Sequence, residues 1–310
     1  MKKIKILFLT GFWYSGATIL GRSLVSSNQA VYVGEIRDFW TKGLKRNEKC
    51  SCGERFENCS FWQKVKNEYI KSFPSINIEE ITQDLNELEK TTNYFKLRKF
   101  IKNKANGSLQ QLLDTYLEHT EKLYEIISEA SGKNIIVDSS RLPGRLLALS
   151  CTNRFDFYPI YLLRDPRGVI NSLIKKDIRN YGKNSHSTFK HILSWNAKNL
   201  LSLDSLKILH AENTMYLSYK SFTRNPAKVF ENLKKMLDCT LNYEEENGEV
   251  SLNLEPGHVF TGNRSRHDTG KIIITEDVKW KQELSLQRKV LVSITSLPLL
   301  KYVVKKYHLN

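Results

Sequence analysis

The chain is expected to fold as an α/β protein built on a doubly wound parallel sheet flanked by helices, with a helical insertion. Two observations predict this. Four short apolar runs at 4–10, 30–34, 134–138 and 156–163, with a fifth at 214–217, each lead into a turn and a helix-spaced pattern. Buried parallel strands joined by crossover helices read this way. The first run also ends in a glycine-flanked turn that enters an apolar helix at 19–25, a P-loop-like arrangement. In such a sheet ligands sit at the carboxyl ends of the strands, so functional residues are expected just after each run.

At 310 residues the chain is expected to form one domain, 1–310, interrupted between the second and third strands. From about 61 to 131 the sequence turns to Lys, Glu, Asn and Leu at helical spacing, without a glycine until Gly107. This helical insertion is the natural cap on the acceptor side, or a packed helical layer. A further amphipathic helix is expected from Pro226 to about Leu237, then an acidic turn, then a polar segment over 257–271 too rich in Gly, Asn, Ser and Arg to be core.

Hydrophobic residues make up 40% and charged residues 26%, a globular composition. The formal net charge of +15 raises the local concentration of anionic partners without choosing among them, and a solvated Lys-rich surface accounts for much of it. The N-terminus has a basic tip and an apolar run, but the run leads into a glycine loop rather than a cleavage site, so it reads as a strand. No stretch is apolar and long enough to span a bilayer. The expectation is a cytoplasmic enzyme, with room for peripheral membrane contact. Nucleic acid is not an expected partner, because the aromatics form no stacking series with the basic residues.

Five cysteines are present, three of them close together as Cys50, Cys52 and Cys59. Their spacing is not a pair of CxxC knuckles and no His lies near them in the sequence. A buried thiol cluster or one local disulfide is therefore expected over zinc, which would need ligands from elsewhere, and no metal site is assigned. Cys151 and Cys239 sit in apolar company and read as core.

Four constellations carry the chemistry. The first is the turn from Gly11 to Thr18, where Tyr14, Ser15, Gly16, Ala17 and Thr18 deliver the chain into a helix N-terminus whose free N–H groups cradle an anion. The spacing resembles GxxxxGK[ST], but Ala17 stands where an NTP-binding loop has its Lys, which weakens a nucleoside triphosphatase reading. The second is Glu35, after the second strand, where a carboxylate can take a proton from an attacking hydroxyl; its alternative is an ion pair with Arg37 or another base. The third is Asp138-Ser-Ser-Arg141-Leu-Pro143. Arg141 is placed to meet charge on a leaving oxygen, while the same strand can also be read as Walker-B-like, with Asp138 holding Mg²⁺ for a kinase. The fourth is Arg164-Asp165-Pro166, where Asp165 caps a helix that Pro166 begins. Ser172 and Lys176 then lie above that end on one side, and with Arg164 form a ladder of donors suited to a phosphate monoester.

Taken together the chain resembles the PAPS-dependent sulfotransferase family, in particular its bacterial members and the related protein-tyrosine sulfotransferases, nearly end to end. The segment from Gly11 to Leu20 looks like the family's 5′-phosphosulfate loop. Val33 to Trp40, with the Cys-Ser-Cys-Gly and Cys-Ser-Phe-Trp62 that follow, resembles the bacterial branch. Arg164 to Ser172 is similar to the 3′-phosphate motif, Tyr219 with Asn225-Pro226 to the segment after it, and Gly262 to Gly270 to the C-terminal cofactor loop. The resemblance implies Glu35 as base and Arg141 on the bridging oxygen. It also implies Arg164, Ser172 and Lys176 on the 3′-phosphate, Tyr219 near the adenosine, and Arg264, Arg266 and Gly270 closing over the nucleotide. Two departures stand out. Arg141 replaces the usual Lys, and Tyr14 stands where the family has a cation on the transferring sulfate. One such contact is worth ~3 kcal/mol in the transition state. Arg22, one turn into the first helix, is the candidate substitute if it bends toward the loop.

The expected activity is transfer of a sulfuryl group from 3′-phosphoadenylyl sulfate (PAPS), the nucleotide donor, to a hydroxyl or amine on an acceptor the sequence does not identify, with no metal required. A P-loop kinase using ATP and Mg²⁺, and a catalytically weak nucleotide- or polyanion-binding protein of the same fold, are the alternatives. His258 and His267 are a second choice for the base.

Overall fold

The structure, a computed structural model, describes residues 3–103, 107–182, 187–209 and 213–309. Its centre is a five-stranded parallel sheet in the order β2-β3-β1-β4-β5, with β1 Lys5–Gly11, β2 Ala30–Gly34, β3 Ile135–Arg141, β4 Asp156–Leu163 and β5 Met215–Ser218. The five apolar runs are these strands, shifted by three residues at most; β3 reaches three residues further than its apolar run because Ser139, Ser140 and Arg141 are buried despite their polarity.

Alternation along β1 separates two cores. Ile6 and Phe8 face helices on one side of the sheet, and Leu7 and Leu9 face those on the other. Each such side chain, fully buried, contributes about 1.5–3 kcal/mol. Helix α1 (Ala17–Leu24) lies on the second face, with Gly21 against the ring of Tyr32. Between β2 and β3 come α2 (Ser60–Ser72), α3 (Ile78–Glu89), α4 (Tyr94–Asn103) and α5 (Ser108–Ser131). Helices α6 (Pro143–Leu149), α7 (Pro166–Tyr181) and α8 (Thr188–Leu209) follow, then α9 (Tyr219–Arg224) and α10 (Pro226–Leu237). Asp165 accepts from Arg167 N at 2.8 Å and Pro166 opens α7, the expected cap.

The segment read as an acidic turn is a strand pair instead. β6 (Glu244–Glu246) and β7 (Glu249–Leu254) are joined by Asn247 and Gly248, both at positive φ, and β8 (Gly270–Ile273) completes a three-stranded antiparallel sheet. Asn-Gly is the two-residue hairpin signal, hidden here among glutamates. The polar segment over 257–271 also differs from expectation in its first half, where Val259, Phe260 and Thr261 are buried and Phe260 packs edge-on to Phe56 and Trp62. Cys151 is exposed in the turn after α6, and Cys239 is half-buried after α10, so neither is core; both fall just past helix ends, where the chain turns outward. The chain ends in α11 (Trp280–Glu283) and α12 (Leu286–Lys306). Among the described residues no helix is long and apolar enough to cross a membrane.

Candidate functional site

Every strand of the parallel sheet delivers a sequence-predicted residue at its carboxyl end: Tyr14 after β1, Glu35 after β2, Arg141 closing β3, Arg164 after β4 and Tyr219 after β5. The loop after β1 is folded by backbone conformation. Gly11 at φ +115 has no room for a Cβ, which would lie 2.3 Å from the Leu162 carbonyl oxygen; Gly16 at φ +95 caps α1, with the Tyr219 ring packed over it. Ser15 is 1% exposed and its hydroxyl has no partner. Arg141 Nε and Arg266 Nε are likewise buried without partners, so three of the five such side-chain atoms among the described residues belong to predicted nucleotide contacts. Orphaned buried donors of this kind mark the place of an acceptor-rich ligand.

Glu35 is ion-paired with Arg141, not with Arg37. Arg37 turns to Glu89 instead, Nε donating at 2.8 Å. Arg164 donates to the Tyr14 carbonyl at 2.8 Å and to Asp277 Oδ2 at 2.9 Å, with its guanidinium 4.3 Å above the Tyr219 ring. The Tyr219 hydroxyl accepts from Asp277 N at 3.1 Å. A cavity of about 660 Å³ opens here, lined by Arg164, Tyr219, Asp277, Trp280 and Lys301. Ser172 gives its hydroxyl to its own helix, at the Gly168 carbonyl, and Lys176 is exposed one turn on.

The C-terminal loop lies elsewhere. Arg266 lines a second cavity of about 400 Å³ with Arg22, Tyr32 and Ser51, and donates to the Gly262 carbonyl at 3.1 Å; Arg264 and Gly270 are exposed. Arg22 does not bend toward the loop after β1. It donates to the Ser265 carbonyl at 2.6 Å and the Glu255 carbonyl at 3.1 Å, tying α1 to the C-terminal segment.

Asp138, the residue a Mg²⁺ reading needs, is spent on the core. It is fully buried, and its oxygens accept from Tyr124 at 2.6 Å, Arg145 Nε at 3.2 Å and Ser140 N at 2.8 Å. A carboxylate saturated with donors away from solvent offers no coordination site.

Sequence reasoning missed Lys198. Its helix, α8, is docked on the sheet by Tyr161 donating to Asn199 at 2.8 Å and by Thr10 donating to Ser202 at 3.3 Å. This sets the Lys198 ammonium 3.2 Å from the centre of the Trp13 ring. Burial, then the nearby charges of Arg37 and Arg141, push its pKa down to about 7. Tyr14, which burial pushes upward against Arg179 and Arg141, stays a neutral donor at neutral pH.

No protein-family model matches the chain, and no curated protein matches it in sequence. Among solved structures it is similar to the sulfotransferase domain from the curacin biosynthetic pathway, at 15% identity over 95% of this chain and 97% of that one, with a TM-score of 0.52. It is also similar to the sulfotransferase domain of the Synechococcus PCC 7002 olefin synthase, at 17% identity over 94% of both chains, TM-score 0.45. A sulfotransferase from Alicyclobacillus acidocaldarius matches at 10% identity over 98% of this chain and 96% of that one, TM-score 0.47. The first of these likenesses establishes the fold, the P-loop-like α/β sheet of a sulfotransferase domain.

Proposed function

We propose that this chain is a sulfotransferase that moves a sulfuryl group from 3′-phosphoadenylyl sulfate to a hydroxyl or amine. The observation that carries this reading is the convergence of three cations on a phosphate-type loop lacking the lysine of NTP-binding loops, with Arg164 on the Tyr14 carbonyl, Lys198 over Trp13 and Arg141 acting on Tyr14, while Asp138, the carboxylate a Walker-B reading needs, is locked in the core. A sulfuryl group carries less charge than a phosphoryl group, so side-chain cations and backbone donors suffice.

In this mechanism the loop after β1 and the N-terminus of α1 hold the 5′-phosphosulfate, and Arg164 with Ser172 and Lys176 takes the 3′-phosphate. Tyr219 flanks the adenosine, and Arg264, Arg266 and Gly270 approach when the C-terminal loop closes. The acceptor oxygen attacks sulfur as its proton passes to Glu35. The bond from sulfur to the bridging oxygen breaks, and adenosine 3′,5′-bisphosphate leaves with the electron pair, met by Arg141. Donor binding also frees the base, because the incoming phosphosulfate draws Arg141 off Glu35. Lys198 supplies the cation that Tyr14 does not. The acceptor enters beside the helices inserted between β2 and β3, where Glu89 of α3 meets Arg37.

Calorimetry tests the donor class. Adenosine 3′,5′-bisphosphate should bind without metal and more tightly than ATP; preference for ATP with Mg²⁺ would transfer the assignment to the kinases. The Lys198 role predicts a pH dependence. The ammonium is lost as pH rises through about 7, so kcat/KM should fall above that value. Lys198→Arg should remove this limb, and Lys198→Met should lower activity by ~10²–10³ below pH 7 and approach wild type above it, where the ammonium is already lost. A rate that instead rose through pH 7 would make Lys198 a base and overturn the assignment. The unfolded chain holds this proton up to the ordinary lysine range, so stability rises with pH between about 7 and 10.5.

A further inference from the structure

We infer that Cys50, Cys52, Cys59 and His258 form a structural zinc site. The three cysteines share one loop, but the fourth residue arrives from 199 positions away: His258 Nδ1 lies 3.2 Å from Cys59 Sγ. The three sulfurs and one ring nitrogen all lie within 4.8 Å of one another. A tetrahedral ion with Zn–S of ~2.3 Å and Zn–N of ~2.0 Å requires ligand atoms ~3.5–3.8 Å apart, so modest inward rotation of the side chains closes the set. Three sulfurs cannot all be satisfied by one disulfide, and all five cysteines are unpaired. A single ion uses every one of these four ligands.

The surroundings hold the ligands in place independently of any ion. Cys50 and Cys59 are fully buried. The loop closes through Cys50 N to the Glu54 carbonyl at 2.8 Å, with Gly53 at φ +103 making the turn after the second cysteine. His258 is fixed from three directions. Its ring stacks on Phe61 at 5.2 Å, its carbonyl accepts from Trp62 Nε1 at 2.8 Å, and its neighbours Gly257 and Val259 are bonded to the Ser51 hydroxyl. Such outer contacts are what orient a ligating imidazole.

Binding forms three Zn–S bonds and one Zn–N bond and releases the three thiol protons to solvent, with no change of oxidation state. All four positions are filled by protein, so the ion takes no part in group transfer. It staples the loop after β2 to the segment that leads to Arg264 and Arg266.

The test is independent of any sulfotransferase activity. The full chain, expressed with zinc in the medium, should carry about one zinc by plasma mass spectrometry. Exchange for Co²⁺ should give the charge-transfer and d–d absorption of a tetrahedral thiolate site. Cys151 and Cys239 should react with a thiol reagent in the native protein and all five cysteines only after chelation. His258→Ala should weaken zinc retention at least ~10-fold. Wild-type chain without zinc that also gives no tetrahedral Co²⁺ spectrum, or a disulfide among Cys50, Cys52 and Cys59 by mass spectrometry, would overturn the proposal whatever the variants do.

Discussion

Glu35→Gln should lower turnover by ~10²–10⁴ while leaving adenosine 3′,5′-bisphosphate bound at least as tightly as before. The two halves of this result have separate causes. Glutamine keeps the shape of the side chain but cannot accept the acceptor's proton. It also removes the negative partner of Arg141, which then meets the nucleotide without first leaving an ion pair. Steady-state kinetics and calorimetry on the same variant check both halves. Normal turnover would reject Glu35 as the base, and loss of nucleotide binding would make it a structural member of the loop.

The largest effect on stability is expected at Arg145. Its guanidinium is fully buried and donates to Asp138 at 3.2 Å, Glu89 at 3.1 Å, Tyr116 at 2.8 Å and Tyr124 at 3.0 Å. Arg145→Leu leaves Asp138 buried beside Tyr124 without its cation, and leaves Glu89 with Arg37 as its cation and the Tyr116 hydroxyl as its other donor. Breaking such a pair from one side costs about 3–5 kcal/mol, because the remaining charge keeps its desolvation penalty. Urea unfolding should show the midpoint falling with an unchanged slope. Arg145→Lys keeps the charge but loses the fork that reaches four partners, and should fall between the two. A midpoint for Arg145→Leu equal to wild type would show the network to be dispensable.

Arg145 also illustrates what the sequence concealed. In Arg-Leu-Pro-Gly-Arg it reads as one more solvated cation in a basic chain, and only α3 and α5 arriving over it, with Glu89, Tyr116 and Tyr124, make it core. The strands of the parallel sheet were legible because burial on both faces writes an uninterrupted apolar run, and the cap of α7 because Asp165-Pro166 is a local signal. Tyr14, Glu35, Arg141 and Arg164 were legible as positions for the same reason, since each follows an apolar run, whereas Tyr219 was marked out only by the family resemblance. Lys198 and Asp277 follow no strand of the parallel sheet. The first sits on a helix where lysine is ordinary and is singled out only by Trp13 and the docking of α8. The second lies in a turn far along the chain and matters only because the turn folds back over Arg164. His258 belongs with these, since no spacing rule relates it to cysteines some two hundred residues earlier. The common cause is that contacts between distant segments leave no periodicity.

Asp277 on Arg164 has a thermodynamic consequence. The carboxylate already occupies Nη2 of the guanidinium proposed to take a phosphate monoester, and Arg164 and the turn after it hold its proton affinity below the usual range despite partial burial. In the proposed mechanism a nucleotide arriving there would not fill a vacancy; it would displace an internal rival. Its measured affinity is then the difference between two anions on one guanidinium. On departure of the product the rival would return, so the side chain proposed to weaken the grip on the substrate would also shorten the residence of what is left behind.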